Sequence, residues 1–146
     1  MRGSFVGCCL CVVVVLCART EDWPQFRGPT GQGISTERNV PLHWGAESNV
    51  VWKTAIPGEG WSSPIVWKDR VIVTSATEDG TKCHVIAVDR KSGKVVWDKE
   101  VFEQVPWRKE GKNSYATSTP VTDGKRVYAV FGDGSIAALT LDGEVV

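Results

Sequence analysis

The chain has 146 residues, with seventeen basic and seventeen acidic side chains and no formal net charge. That balance excludes a clustered basic footprint for nucleic acid or an anionic bilayer, and the length covers one ordinary domain. Fifteen Gly, seven Pro and seven Trp beside a single Met suit short strands and turns, and no segment keeps a helical apolar period, so an all-β fold is expected.

The opening of the chain is a different kind of material. Arg2 precedes an apolar run over residues 5–17 broken only by Gly7, and Ala18 supplies a small residue at its edge. The run is shorter than the roughly 20 apolar residues that span a bilayer, so residues 1–18 read as a signal peptide. Leu16 stands before Cys17 where lipid modification needs a small residue, which speaks against a lipoprotein. Cys8, Cys9, Cys11 and Cys17 all fall in this segment, and cleavage would leave Cys83 without a disulfide partner. The mature chain is therefore expected in the periplasm or outside the cell, free of the membrane, and held together by packing rather than by cross-links.

Residues 19–48 read as an irregular lead-in. Gly28-Pro-Thr-Gly31-Gln-Gly33 lacks the Gly-Lys-Ser/Thr ending of a phosphate cradle and the glycine order of a dinucleotide site. A tight irregular turn is expected there instead.

From residue 49 to 146 one pattern occurs twice. The first copy runs Ser62-Ser-Pro64-Ile-Val, Asp69-Arg-Val-Ile-Val73, His84-Val-Ile-Ala-Val-Asp89 and Ser92-Gly-Lys-Val-Val-Trp97. The second runs Ser118-Thr-Pro120-Val-Thr, Lys125-Arg-Val-Tyr-Ala-Val130, then residues 135–141, and Asp142-Gly-Glu-Val-Val146. Each copy predicts four short strands, with Asp133-Gly134 marking a hairpin between 127–131 and 136–141. Four antiparallel strands recurring every ~40–55 residues describe a propeller blade, which must stack on neighbours to cover its two faces. Val50-Val-Trp52-Lys53 reads as the closing strand of a preceding unit, leaving about two blades here. The second copy reaches Val146 one residue short of the Trp that ends the first, so the chain is expected to be the opening of a longer repeat protein.

Trp52 and Trp97 each follow two Val at a strand end, and a repeated Trp in that place is expected to dock one blade on the next. Val51 and Val96 beside them are expected in the core. Between Trp97 and Pro120 the second copy carries a longer connection than Trp52 to Pro64, the surplus falling over residues 102–114. This makes Trp107, Arg108 and Lys109 the candidate contacts of a rim loop, since loops on a rigid scaffold often carry function. Arg108, Lys109 and Lys112 are mixed with Glu110 and do not form a nucleic-acid patch. His43 and His84 have no partner at metal-ligand spacing. No Gly-x-Ser-x-Gly elbow occurs, so a hydrolase triad has no support.

The opening Asp22-Trp-Pro-Gln-Phe-Arg-Gly-Pro-Thr-Gly-Gln-Gly33, with Trp52-Lys and Gly60-Trp-Ser-Ser-Pro64, resembles the start of exported PQQ-binding-like β-propeller repeat proteins. Asn113-Ser-Tyr-Ala-Thr-Ser-Thr-Pro120 and Ala87-Val-Asp89 with Ser92-Gly-Lys-Val-Val-Trp97 are similar to the blade signatures of that family. The resemblance covers residues 21–146 and implies an eight-bladed ring, of which residues 49–146 are the first PQQ-like repeats. Some members of the family are quinoprotein dehydrogenases that hold PQQ and Ca²⁺ over the axis; others keep the blades without quinone chemistry, among them an outer-membrane assembly lipoprotein. No position here matches the catalytic Asp, the calcium ligands or the Trp floor of the dehydrogenases, so no catalytic residue and no cofactor are expected in this segment. PQQ and Ca²⁺ belong only to a complete ring.

The expected function is an exported, non-catalytic propeller acting as a scaffold for a protein partner, with no nucleic acid involved. Two alternatives stand beside it. One is a PQQ- and Ca²⁺-dependent dehydrogenase; the other is a carbohydrate-binding propeller using Trp61, Trp67 or Trp107.

Overall fold

A computed structural model describes residues 20–105 and 108–146. The expected signal peptide and Trp107 lie outside the described residues. Seven strands follow in order: β1 (Ile65–Trp67), β2 (Arg70–Ala76), β3 (Lys82–Asp89), β4 (Val95–Glu103), β5 (Val121–Thr122), β6 (Arg126–Val130) and β7 (Ile136–Thr140). There is no helix among the described residues. The first four form one antiparallel sheet in chain order and the last three form a second.

Apolar β-branched runs set the central strands. β2 and β3 pair without a slip from Arg70↔Asp89 to Ala76↔Cys83. β3 and β4 shift register after Cys83 and after Ala87, and such bulges bend and twist a strand. The turns are closed by carboxylates. Asp89 accepts from the Ser92 N–H at 2.7 Å and the Ser92 hydroxyl at 2.6 Å. Asp123 accepts from the N–H groups of Lys125 and Arg126 at 2.8 and 2.7 Å. Asp133 takes the Ser135 N–H at 2.9 Å and the Ser135 hydroxyl at 2.6 Å. A short side-chain acceptor that bonds the backbone two residues on is what favours Asp at these places. The hairpin expected at Asp133-Gly134 forms, with the Phe131 N–H donating to the Ser135 carbonyl at 3.0 Å.

The core lies between the two sheets. Cys83, Val85 and Ala87 alternate along β3 and face one cluster with Ile65, Ile72, Val127, Ala129, Ala137 and Leu139. Phe102 from β4 meets Phe131 edge-on, the rings 6.0 Å apart at 82°, an arrangement the ring quadrupoles favour. Ile86 and Val88 on the other face of β3 are buried as well. The segment 52–60 is bonded along this sheet, through Glu59 and Ala76 and from the Ser75 hydroxyl to the Pro57 carbonyl.

Three expectations are corrected here. Residues 50–53 do not form a strand; no strand among the described residues pairs with them, and a strand exists only through its ladder. Val51 is 88% exposed and Val96 43% exposed, so neither is core. Successive side chains leave an extended backbone on opposite faces, so the burial of a Trp implies the reverse for its neighbour. The long connection begins at Gln104 rather than at Phe102, because β4 continues to Glu103.

Leu139→Ala is expected to cost about 2–5 kcal/mol in urea unfolding, whereas Ile136→Ala, at an exposed place on the same strand, should stay within roughly 0.5 kcal/mol. Burial pushes the Cys83 thiol up to about 11. A thiol reagent at neutral pH should therefore label Cys83 only as fast as the protein unfolds, and rapid labelling of the folded chain would contradict its burial.

Candidate functional site at the ends of the blades

Meandering sheets have two ends, and the chain treats them differently. The β2–β3 turn and the connections into β1 and β5 gather at one end, called the rim here. The β1–β2, β3–β4 and β5–β6 turns lie at the other.

At the turn end, aromatic rings lie on glycines. The Trp97 indole, carried by β4 of the first sheet, lies against Gly143 after β7 of the second, and its Nε1 donates to the Leu141 carbonyl at 3.1 Å. A Cβ on Gly143 would stand 2.7 Å from the indole. Trp52 repeats this against the first sheet, covering Gly93 and donating to the Arg90 carbonyl at 2.8 Å, while the Thr54 hydroxyl donates to the Gly93 carbonyl at 2.5 Å. So Trp97 joins the two sheets, and Trp52 covers the equivalent turn of the first. Three further ring-on-glycine pairs escaped the sequence reading: Trp67 on Gly124, Trp23 on Gly28 and Tyr115 on Gly80. Gly124 and Gly80 are covered by rings distant in sequence, whereas Trp23 and Gly28 lie together in an irregular turn.

At the rim, Gln104 and Tyr115 lie against the β2–β3 turn. The Gln104 N–H donates to the Thr81 carbonyl, the Gln104 amide to the Gly80 carbonyl, and Tyr115 covers Gly80. Asp79 sits in that turn, where the Thr77 hydroxyl first and then the Thr81 N–H and hydroxyl hold its carboxyl below the ordinary value. A cavity of about 240 Å³ opens among Arg108, Lys109, Asn113, Tyr115 and Thr117. Of the expected rim contacts, Arg108 is exposed. Lys109 is tied in: its Nζ donates to the Asn113 carbonyl at 3.1 Å, stands 3.6 Å from Glu59 and lies 5.4 Å above the Tyr115 ring. Trp107 is outside the described residues. Of the other aromatics considered for sugar stacking, Trp61 is 65% exposed, while Trp67 has its ring on Gly124.

Residues 35–146 match the family model described as outer membrane protein assembly factor BamB. The chain belongs to this family of PQQ-like repeats. Its four-stranded and three-stranded sheets are propeller blades. Comparison with curated proteins gave no match. Among the described residues no three His, Cys, Asp or Glu side chains come together that could hold a metal ion, and Asp79, Asp89, Asp123 and Asp133 each accept hydrogen bonds from their own turns.

Gly143→Ala should destabilise the protein by roughly 1–3 kcal/mol, through the clash with Trp97 and a φ of +87° that disfavours a side chain. Gly134→Ala, also at positive φ but with open space above it, should cost less. The turn carboxylates make a second prediction. Asp79, Asp89, Asp123 and Asp133 are all held below the ordinary Asp value of 3.8 by the hydrogen bonds their turns donate. The unfolded chain therefore takes up their protons first as pH falls, and their stabilisation is full above that value and lost below it. Melting temperature should stay level from neutral pH to about pH 4 and fall below that, and the fourfold Asp→Asn variant should show a shallower fall.

Proposed function

We propose that the chain is an exported, non-catalytic PQQ-like propeller segment whose rim end serves as a scaffold for a protein partner. The family match carries this reading most strongly, since the matching description is that of an assembly factor. It is supported by the engagement of the turn carboxylates in structure and by the exposed Arg108 on a loop braced by Lys109, Gln104 and Tyr115. A braced loop presents side chains at low entropic cost, which suits recognition. Export rests on the apolar run ahead of Ala18, and the division into a signal peptide (1–18), a lead-in (19–48) and repeats (49–146) belongs to the same proposal.

Two measurements test it. N-terminal sequencing of protein recovered from the exported fraction should begin at Arg19; retention of Met1 would remove the signal-peptide reading. A photo-crosslinker at Arg108 should yield a discrete protein adduct in the envelope, while one at Lys125, near the opposite end, should not. Turnover of a dye on titration of full-length protein with PQQ and Ca²⁺ would replace the scaffold with the dehydrogenase reading. Glycan binding lost on Trp61→Ala would favour the carbohydrate reading instead.

A further inference from the structure

β1 and β5 are the inner edges of their sheets. Just ahead of them the two units bond to each other: the Trp61 N–H donates to the Ala116 carbonyl at 3.1 Å, and the Ser63 N–H to the Thr119 hydroxyl at 3.0 Å. β4, by contrast, is largely exposed on the outside of the first sheet. The first strand of each blade thus faces the channel around which propeller blades are arranged. Each such strand pairs on one side only and presents a row of backbone groups on the other.

Residues 22–28 lie on that side of both strands. Trp23 forms an antiparallel bridge with Val66, giving its N–H at 2.7 Å and accepting the Val66 N–H at 2.8 Å. The Asp22 carboxylate accepts from the Lys68 N–H at 2.7 Å, where the β1–β2 turn passes through a positive φ of 52°. Pro24 has no N–H to give; its carbonyl accepts the Thr122 N–H of β5 at 2.9 Å. One tripeptide therefore spends its backbone groups on two different blades. The chain then turns back. The Gly28 N–H donates to the Gln25 carbonyl at 2.9 Å, the Gln25 amide donates to the Gly28 carbonyl at 3.1 Å, and the Trp23 ring covers Gly28.

We propose that residues 22–28 are an internal strap, added along the unpaired edges of β1 and β5, that fixes the two blades to each other. The chemistry is that of strand addition by a peptide ligand, with the ligand supplied at the high effective concentration of a tether. This inference does not depend on the scaffold reading, since it concerns the opposite end of the sheets.

Hydrogen exchange on the full chain tests it. Gly28→Val places a side chain within 2.7 Å of the Trp23 ring at a φ of +74°. The N–H groups of Val66, Lys68 and Thr122 should then exchange faster together, by roughly tenfold or more, while the β2–β3 amides keep their protection. If Gly28→Val fails to fold, Trp23→Ala reads the same three amides. The strap is overturned by unchanged exchange at all three, by opening at Val66 with Thr122 still protected, or by an equal rise across β2 and β3.

Discussion

The structure depends on rings laid flat on glycines across a seam. In the Trp97–Gly143 contact the indole face covers the peptide of a turn and its edge donates to the Leu141 carbonyl. One side chain thus supplies both apolar burial and a satisfied donor, the combination that makes Trp effective at interfaces. Only a residue without Cβ lets the ring come so close. The glycine therefore marks where one blade meets the next, and the turn that presents it must be held rigidly. That is the work of Asp89 in the first unit, where Ser92 is bound three residues along and Gly93 follows. Ring, glycine and turn carboxylate form one device.

Dependence on neighbours follows from it. β2 and β3 carry buried apolar residues on both faces, so a lone sheet would expose part of what it now buries. The cluster from Ile65 to Leu139 draws on both sheets in alternation. In such a stack stability resides as much in the interfaces as in the units. The bonds from Trp61 to the Ala116 carbonyl and from Ser63 to the Thr119 hydroxyl complement the Trp97 indole, so the seam between the two sheets is fastened at one place by hydrogen bonds and at another by a ring.

Local chemistry was legible in the sequence; what it would touch was less so. The strands β2, β3, β6 and β7 followed from β-branched runs between Asp-Gly turns, and the hairpin at Asp133 came from its dipeptide. Trp52 and Trp97 stood out because their surroundings repeat. Trp23, Trp67 and Tyr115 did not, since the glycines they cover, Gly28, Gly124 and Gly80, either lie in an irregular turn or are distant in the chain. Val51 and Val96 were misjudged because adjacency to a docking residue was given more weight than the two-residue period of an extended chain. Segment 50–53 has the composition of a strand, yet pairing is a property of two segments, and composition reports only one.

The two ends of the sheets also divide the labour of the loops. At the turn end the connections are short. Trp52, Gly93 and Asp89 fix the one after β3 while Trp67, Gly124 and Asp123 fix the one after β5, so the length of these two can change little without breaking the contact. The rim is where the copies differ. The path into β5 is longer than the path into β1, and its surplus is anchored by Gln104, Lys109 and Tyr115. Extra chain costs little in loop entropy when its ends are already placed. The rim, where no indole has to find a glycine, is thus the end of these blades that tolerates added length.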